Sequence, residues 1–159
     1  MTERLYYTDC YAREFQARVV GRSGDKIYLD RTAFYPTSGG QPFDTGSLAG
    51  ARVLEVIDED ERIAHVVEGQ LAGESVAGTV DWPRRYDHMQ QHTGQHLLSA
   101  VLVEQFDIST VSFHMGPEVS TIEVAAPVIS PAQILKAETR ANEIVWERRP
   151  VSIAFHDAS

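Results

Sequence analysis

His92 and His96 stand four residues apart in the run Asp87-His88-Met89-Gln90-Gln91-His92-Thr93-Gly94-Gln95-His96-Leu97-Leu98-Ser99. On an α-helix that spacing puts both imidazoles on one face, one turn above the other. Two neutral imidazoles so placed can share one divalent metal, for which zinc is the usual choice with nitrogen ligands. His88 lies one further turn back on the same stripe. A plain polar helix face has the same spacing, so the pair alone leaves both readings open. The glutamate that serves as base in helical zinc proteases is missing, because Thr93 follows His92, and no protease is implied.

The element that must carry these side chains is a helix from about Asp81 to Phe106. Asp81 suits the N-cap and Pro83 the first turn, where no helical donor is needed. Leu97, Leu98, Val101 and Leu102 recur at helical spacing and bury one flank. Gly94 inside the helix costs about 1 kcal/mol relative to alanine. It implies either close packing against another element or room for a substrate. Upstream, Phe15, Ala17 and Val19 alternate with polar residues, Ser23-Gly24-Asp25 turns the chain, and Ile27 and Leu29 resume the alternation. Residues 53–57 and 63–67 form a hairpin around the acidic turn Asp58-Glu59-Asp60-Glu61, and 76–80 adds a strand.

Downstream, 110–113 and 120–124 read as a hairpin and Ser130-Pro131-Ala132-Gln133 as a capping box. The helix it starts has an apolar face of Ile134, Leu135, Ala141, Ile144 and Val145. Val151–Phe155 reads as a last strand. The fold class is therefore α+β. A small antiparallel barrel occupies roughly residues 1–80, and an α+β sandwich lobe with the histidine helix occupies 81–159.

Composition narrows the functions. A net charge of −9 argues against a tight grip on nucleic acid through bulk electrostatics. Positive charge is local, at Arg84-Arg85 and Arg148-Arg149, which suits a weak, tip-directed contact. No apolar run reaches about 18 residues, so no membrane helix is expected. The N-terminus lacks a signal-peptide core, and Cys10 is the one cysteine, so the cytoplasm is the expected compartment. Cys10 reads as a structural thiol more readily than as a metal ligand.

Two stretches resemble one family. His92-Thr93-Gly94-Gln95-His96-Leu97-Leu98-Ser99, entered through Asp81-Trp82-Pro83-Arg84-Arg85, is similar to the metal-binding helix of alanyl-tRNA editing domains. These domains occur inside alanyl-tRNA synthetases and as free-standing deacylases. Phe34-Tyr35-Pro36-Thr37-Ser38-Gly39-Gly40-Gln41-Pro42-Phe43-Asp44-Thr45-Gly46 resembles a second motif of the same family, and the free-standing group is the better match. The Gly-Gly-Gln tripeptide also resembles the loop of peptide-chain release factors, but Phe34-Tyr35-Pro36 and the histidine helix do not fit that family.

The resemblance implies hydrolysis of the ester that joins serine or glycine to tRNA for alanine, with zinc as cofactor and the tRNA acceptor end as partner. His92 and His96 would be two metal ligands, and Gln41 would position the substrate or the attacking water. Gly39, Gly40, Thr110 and Ser112 would line the substrate pocket, although a turn glutamine and ordinary β-face hydroxyls are the plainer alternatives. Arg84, Arg85 and His88 are candidates for contact with tRNA, His88 being otherwise a solvent-exposed residue of the entrance turn. In the family the remaining ligands come from a downstream Cys-Gly-Gly-Thr-His-like segment, which this sequence, ending at Ser159, does not contain. Cys10, His114 and His156 do not fall in that pattern. The expectation is therefore the leading part of a longer protein, with zinc held weakly or not at all by this chain alone. The alternative is a module that binds a tRNA end or a partner without hydrolysis.

Overall fold

Ten strands and two helices are present in the structure, a computed structural model that describes residues 1–152 and 154. In chain order they are β1 (Glu3–Arg4), β2 (Glu14–Ser23), β3 (Lys26–Leu29), β4 (Arg31–Thr32), β5 (Gly46–Leu48), β6 (Ala51–Glu59), β7 (Arg62–Val67), β8 (Ser75–Val80), α1 (Trp82–Phe106), β9 (Thr110–Met115), β10 (Ser120–Val124) and α2 (Pro131–Trp146). A short 3₁₀ turn covers Leu5–Tyr7. The chain divides into two units, Met1–Asp87 and one beginning at His88.

In the first unit, six antiparallel strands pair in the order β2-β3-β7-β6-β5-β8 and close into a barrel through pairing of β8 with β2. Strict alternation drives this. Along β8, Val76, Gly78 and Val80 point inward while Ser75, Ala77 and Thr79 point out. Phe15, Leu29, Phe34, Leu48, Val53, Val56 and Ile63 fill the interior, each large side chain contributing about 1.5–3 kcal/mol by its burial. Gly78 lies opposite Phe15 because a Cβ there would sit 2.3 Å from the ring.

β4 pairs in parallel with β1 and leads into the loop that joins it to β5. The three-residue strand β5 was not legible beforehand. It starts at Gly46, where φ is +151° and a Cβ would come within 2.1 Å of the Thr79 carbonyl.

In the second unit, α1, β9, β10 and α2 share one core built from Val101, Leu102, Ile108 and Ala137, with Leu97, Leu98, Val124, Ala141 and Ile144 packed against it. α1 ends where Asp107 turns left-handed at φ +57° and the buried Ile108 donates its N–H back to Leu102. α2 begins at the expected capping box. Ser130 accepts from the Gln133 N–H at 3.3 Å, and Gln133 Oε1 accepts from the Ser130 N–H at 3.0 Å.

Its apolar face is narrower than expected. Ala141 and Ile144 pack inward, but Ile134, Leu135 and Val145 are exposed. The mixed content, two helices with mostly antiparallel strands, agrees with the expected α+β class. The strand expected over Val151–Phe155 includes residues outside those described, as does His156. Among the described residues no helix is long and apolar enough to cross a membrane.

Candidate functional site

The glycine-rich loop is held at its base and turned sharply at its tip. Ser38 and Gln41 exchange both backbone hydrogen bonds, at 3.1 and 2.9 Å. The two residues between them, Gly39 and Gly40, have φ of +58° and +79°. Positive φ at both central positions is the geometry of a tight hairpin turn, and only glycine enters it without strain. The tip residues Ser38, Gly39 and Gly40 are exposed, whereas Gln41 is buried. Lower down, Phe43 N–H donates to the Thr37 hydroxyl at 3.2 Å. Tyr35 N–H donates to the Asp44 carboxylate at 2.6 Å, and Asp44 N–H returns to the Tyr35 carbonyl at 3.0 Å.

Asp44 is the anchor of this loop. It is almost fully buried, and the Arg85 guanidinium, itself buried, clamps it with Nε at 3.1 and 2.9 Å from the two carboxylate oxygens and a further contact from Nη2. Arg85 also donates to the carbonyls of Cys10 and Ala33. The expected tRNA contact by Arg85 is thereby corrected, since its donors are turned to Asp44 and these carbonyls inside the first unit. Arg84 is half-buried and donates to the Phe43 carbonyl at 3.2–3.3 Å. His88 is buried too, so the solvent-exposed alternative for it fails and contact with tRNA would need it to be uncovered.

A second buried group sets the start of the loop. Phe34 N–H donates to the Thr32 hydroxyl at 3.1 Å. The Ile27 carbonyl can only accept, so His65 Nδ1–H donates to it at 3.2 Å and Nε2 accepts from the Thr32 hydroxyl at 2.8 Å. Burial lowers the His65 pKa to about 4, so the imidazole stays neutral and holds this tautomer.

On α1 the two histidine rings lie face to face, with centroids 4.9 Å apart and 19° between planes. The helical register produces this directly. His92 is half-buried and 6.2 Å from the Phe113 ring, while His96 is exposed. Partial burial, then the neighbouring His96, lower the pKa of His92, which favours its neutral form. A cleft of ≈ 420 Å³ is lined by Gln91, Gly94, Gln95, Leu98, Phe113 and Ile122, with neither histidine in its lining. A Cβ on Gly94 would meet nothing within 4 Å, so close packing is not why glycine stands there. Gln95 Nε2 donates to the Ser99 hydroxyl at 2.8 Å, which is 2.7 Å from Thr110 Oγ1.

Thr110 and Ser112 do not share a pocket. Val124 pairs with Thr110 and Glu123 with Ser112, so Val111 is an extra residue in β9. Such a bulge reverses the alternation. Thr110 and Phe113 face α1, whereas Ser112 is exposed and donates to Glu123 at 2.9 Å. His114 is exposed on β9, and Cys10 is half-buried.

The donor set can be weighed against zinc. The stacked imidazoles supply two nitrogen ligands from one helix face, and a catalytic zinc usually takes three protein ligands. Among the described residues no group of three or more His, Cys, Asp or Glu side chains is placed to hold a metal. By residue type and spacing the pair could supply part of a zinc site.

Comparison with known proteins fits these features. The model of the family "tRNA synthetases class II (A)" matches residues 5–84, which places the chain in the class related to those enzymes. The chain is 36% identical over 166 aligned positions to the alanyl-tRNA editing protein AlaX-M of Methanosarcina barkeri, covering 96% of this chain and 68% of the relative. It is 39% identical to AlaX-L of Pyrococcus horikoshii, covering 99% of this chain and 42% of that protein. It is 36% identical to the alanyl-tRNA editing protein Aarsd1 of Bos taurus, covering 91% of this chain and 37% of that one. The chain belongs to the alanyl-tRNA editing protein family. It spans about two thirds of the first of these relatives and less than half of the other two.

Proposed function

We propose that this protein hydrolyses the ester of mischarged tRNA for alanine, releasing serine or glycine in the cytoplasm. The observation that carries the reading is the parallel imidazole pair of His92 and His96 on a helix that also lines an open cleft through Gln91, Gly94 and Gln95, in a chain of the alanyl-tRNA editing family. These two residues would hold zinc, with a further ligand from outside the described groups. When bound, zinc polarises a carbonyl or activates water. The chain's own contribution is positional. The exposed Gly39-Gly40 turn offers backbone N–H groups that a bulkier residue would shield, and Gln41 orients the substrate or the water. Gln95, Ser99 and Thr110 form a linked polar row by the cleft that suits a small hydroxylated or bare amino acid.

The second reading, a tRNA-end-binding module without hydrolysis, is favoured by the two-nitrogen donor set. The test is amino acid release from seryl-, glycyl- and correctly charged alanyl-tRNA by the parent and by Gln41→Ala. Release of serine or glycine in preference to alanine, reduced in the variant with zinc content unchanged, supports editing. Equal binding of all three without release supports the module.

A further inference from the structure

The first unit carries an aromatic surface that the proposed hydrolysis does not use. Trp82 and Tyr86 stand four apart on α1 with ring centroids 5.6 Å apart, and Tyr11, from the segment before β2, reaches Trp82 at 5.7 Å. The Arg13 guanidinium lies 4.1 Å from the Trp82 ring centroid. The outer rings of this row are open: Tyr11 is 59% and Tyr86 43% exposed. Aromatic rings in a core would be covered, whereas these two remain open to solvent.

We propose that Tyr11, Trp82, Tyr86 and Arg13 form a stacking platform for unpaired nucleotides of the RNA substrate. The proposal rests on the reading that the substrate is a tRNA. Three arguments select single-stranded RNA over other occupants. Bases present flat π-faces that stack on aromatic side chains irrespective of sequence. The Arg13 plane on Trp82 adds a cation that a nucleotide tolerates on either its base or its phosphate. The cations nearby in sequence are Arg13, Arg84 and Arg85, of which Arg85 is buried against Asp44, in a chain of net charge −9, so phosphate neutralisation by the remaining two cannot supply the affinity and stacking must. Of the neighbouring acids, Asp9 accepts the Tyr11 N–H and Asp81 accepts the Thr45 hydroxyl, while Glu14 and Asp87 are exposed.

The experiment uses uncharged RNA, so it does not depend on hydrolysis. A short fluorescent single-stranded RNA and its blunt duplex are titrated with the full chain, its Tyr11→Ala and Tyr86→Ala variants, and the Tyr11→Phe and Tyr86→Phe pair. Trp82 emission is followed in parallel in a Trp146→Phe background. The single strand should bind more tightly than the duplex and quench Trp82. Each alanine variant should lose about tenfold in affinity and each phenylalanine variant little. The salt slope should be shallow, about −1.4 for two cations. Equal affinity of alanine variants and parent, or equal binding of duplex and single strand, overturns the proposal. If RNA binding follows the platform but seryl-tRNA is not hydrolysed, the editing reading fails and the platform stands. If hydrolysis proceeds with unchanged KM in the alanine variants, the platform alone fails.

Discussion

Replacing Arg85 by alanine leaves a buried carboxylate without its cation. Asp44 is 1% exposed and would keep the Tyr35 N–H as a donor, while the carbonyls of Cys10 and Ala33 would each lose a partner. Breaking a buried pair from one side costs about 3–5 kcal/mol, because the remaining charge is neither solvated nor compensated. In a unit the size of Met1–Asp87 each kcal/mol lowers Tm by about 4–8 °C, so the first unit should melt at least roughly 12 °C lower. Trp82 in the first unit is the reporter, with Trp146 changed to phenylalanine so that the second unit is silent. Asp44→Ala should cost a similar amount. The double variant should cost clearly less than the two singles together, because removing the second partner relieves the orphaned charge. Single effects below about 1 kcal/mol, or strict additivity, would refute the clamp.

The buried His65 makes the barrel acid-sensitive. Its folded pKa of about 4 lies below the unfolded value near 6.5, so the unfolded chain binds the proton first as pH falls. Stability is complete above pH 6.5 and declines towards pH 4 by up to about 1.4 kcal/mol per pH unit, ~3 kcal/mol in all. Urea unfolding of His65→Gln should show a flatter profile between pH 6.5 and 5, and an unchanged slope would sink the assignment. Gly94→Ala should stabilise the second unit by about 0.5–1 kcal/mol in a thermal melt, since its Cβ enters open space on a helix. Gly94→Leu should keep the helix, judged by circular dichroism, yet slow serine release if the cleft admits the substrate. A destabilising alanine would restore the packing explanation.

What could be read beforehand was what depends on neighbours in sequence. The helix bearing His92 and His96, the hairpin around the acidic turn, and the Ser130 capping box follow from periodicity and local chemistry, and all stand as expected. The failures are non-local. Arg85 read as a surface cation beside Arg84 because its burial depends on Asp44, 41 positions away. The aspartate in the glycine-rich motif and the doubled arginine were the available signals, but nothing local joins them. Thr110 and Ser112 were both expected to line the pocket, and the extra residue that turns them to different sides leaves no mark in a run of valine and serine. The partners that fix the tautomer of His65, Thr32 and Ile27, are 33 and 38 positions from it.

The account turns on whether the His92–His96 pair supports release of a wrong amino acid. The most direct measurement is the rate of serine release from seryl-tRNA for alanine, with zinc supplied, by the parent and by the His92→Ala/His96→Ala variant, each repeated after chelation. The account predicts a parent rate that falls by about a hundredfold or more on chelation and a variant at that residual rate throughout. Undiminished serine release by the variant, insensitive to chelator, would contradict it.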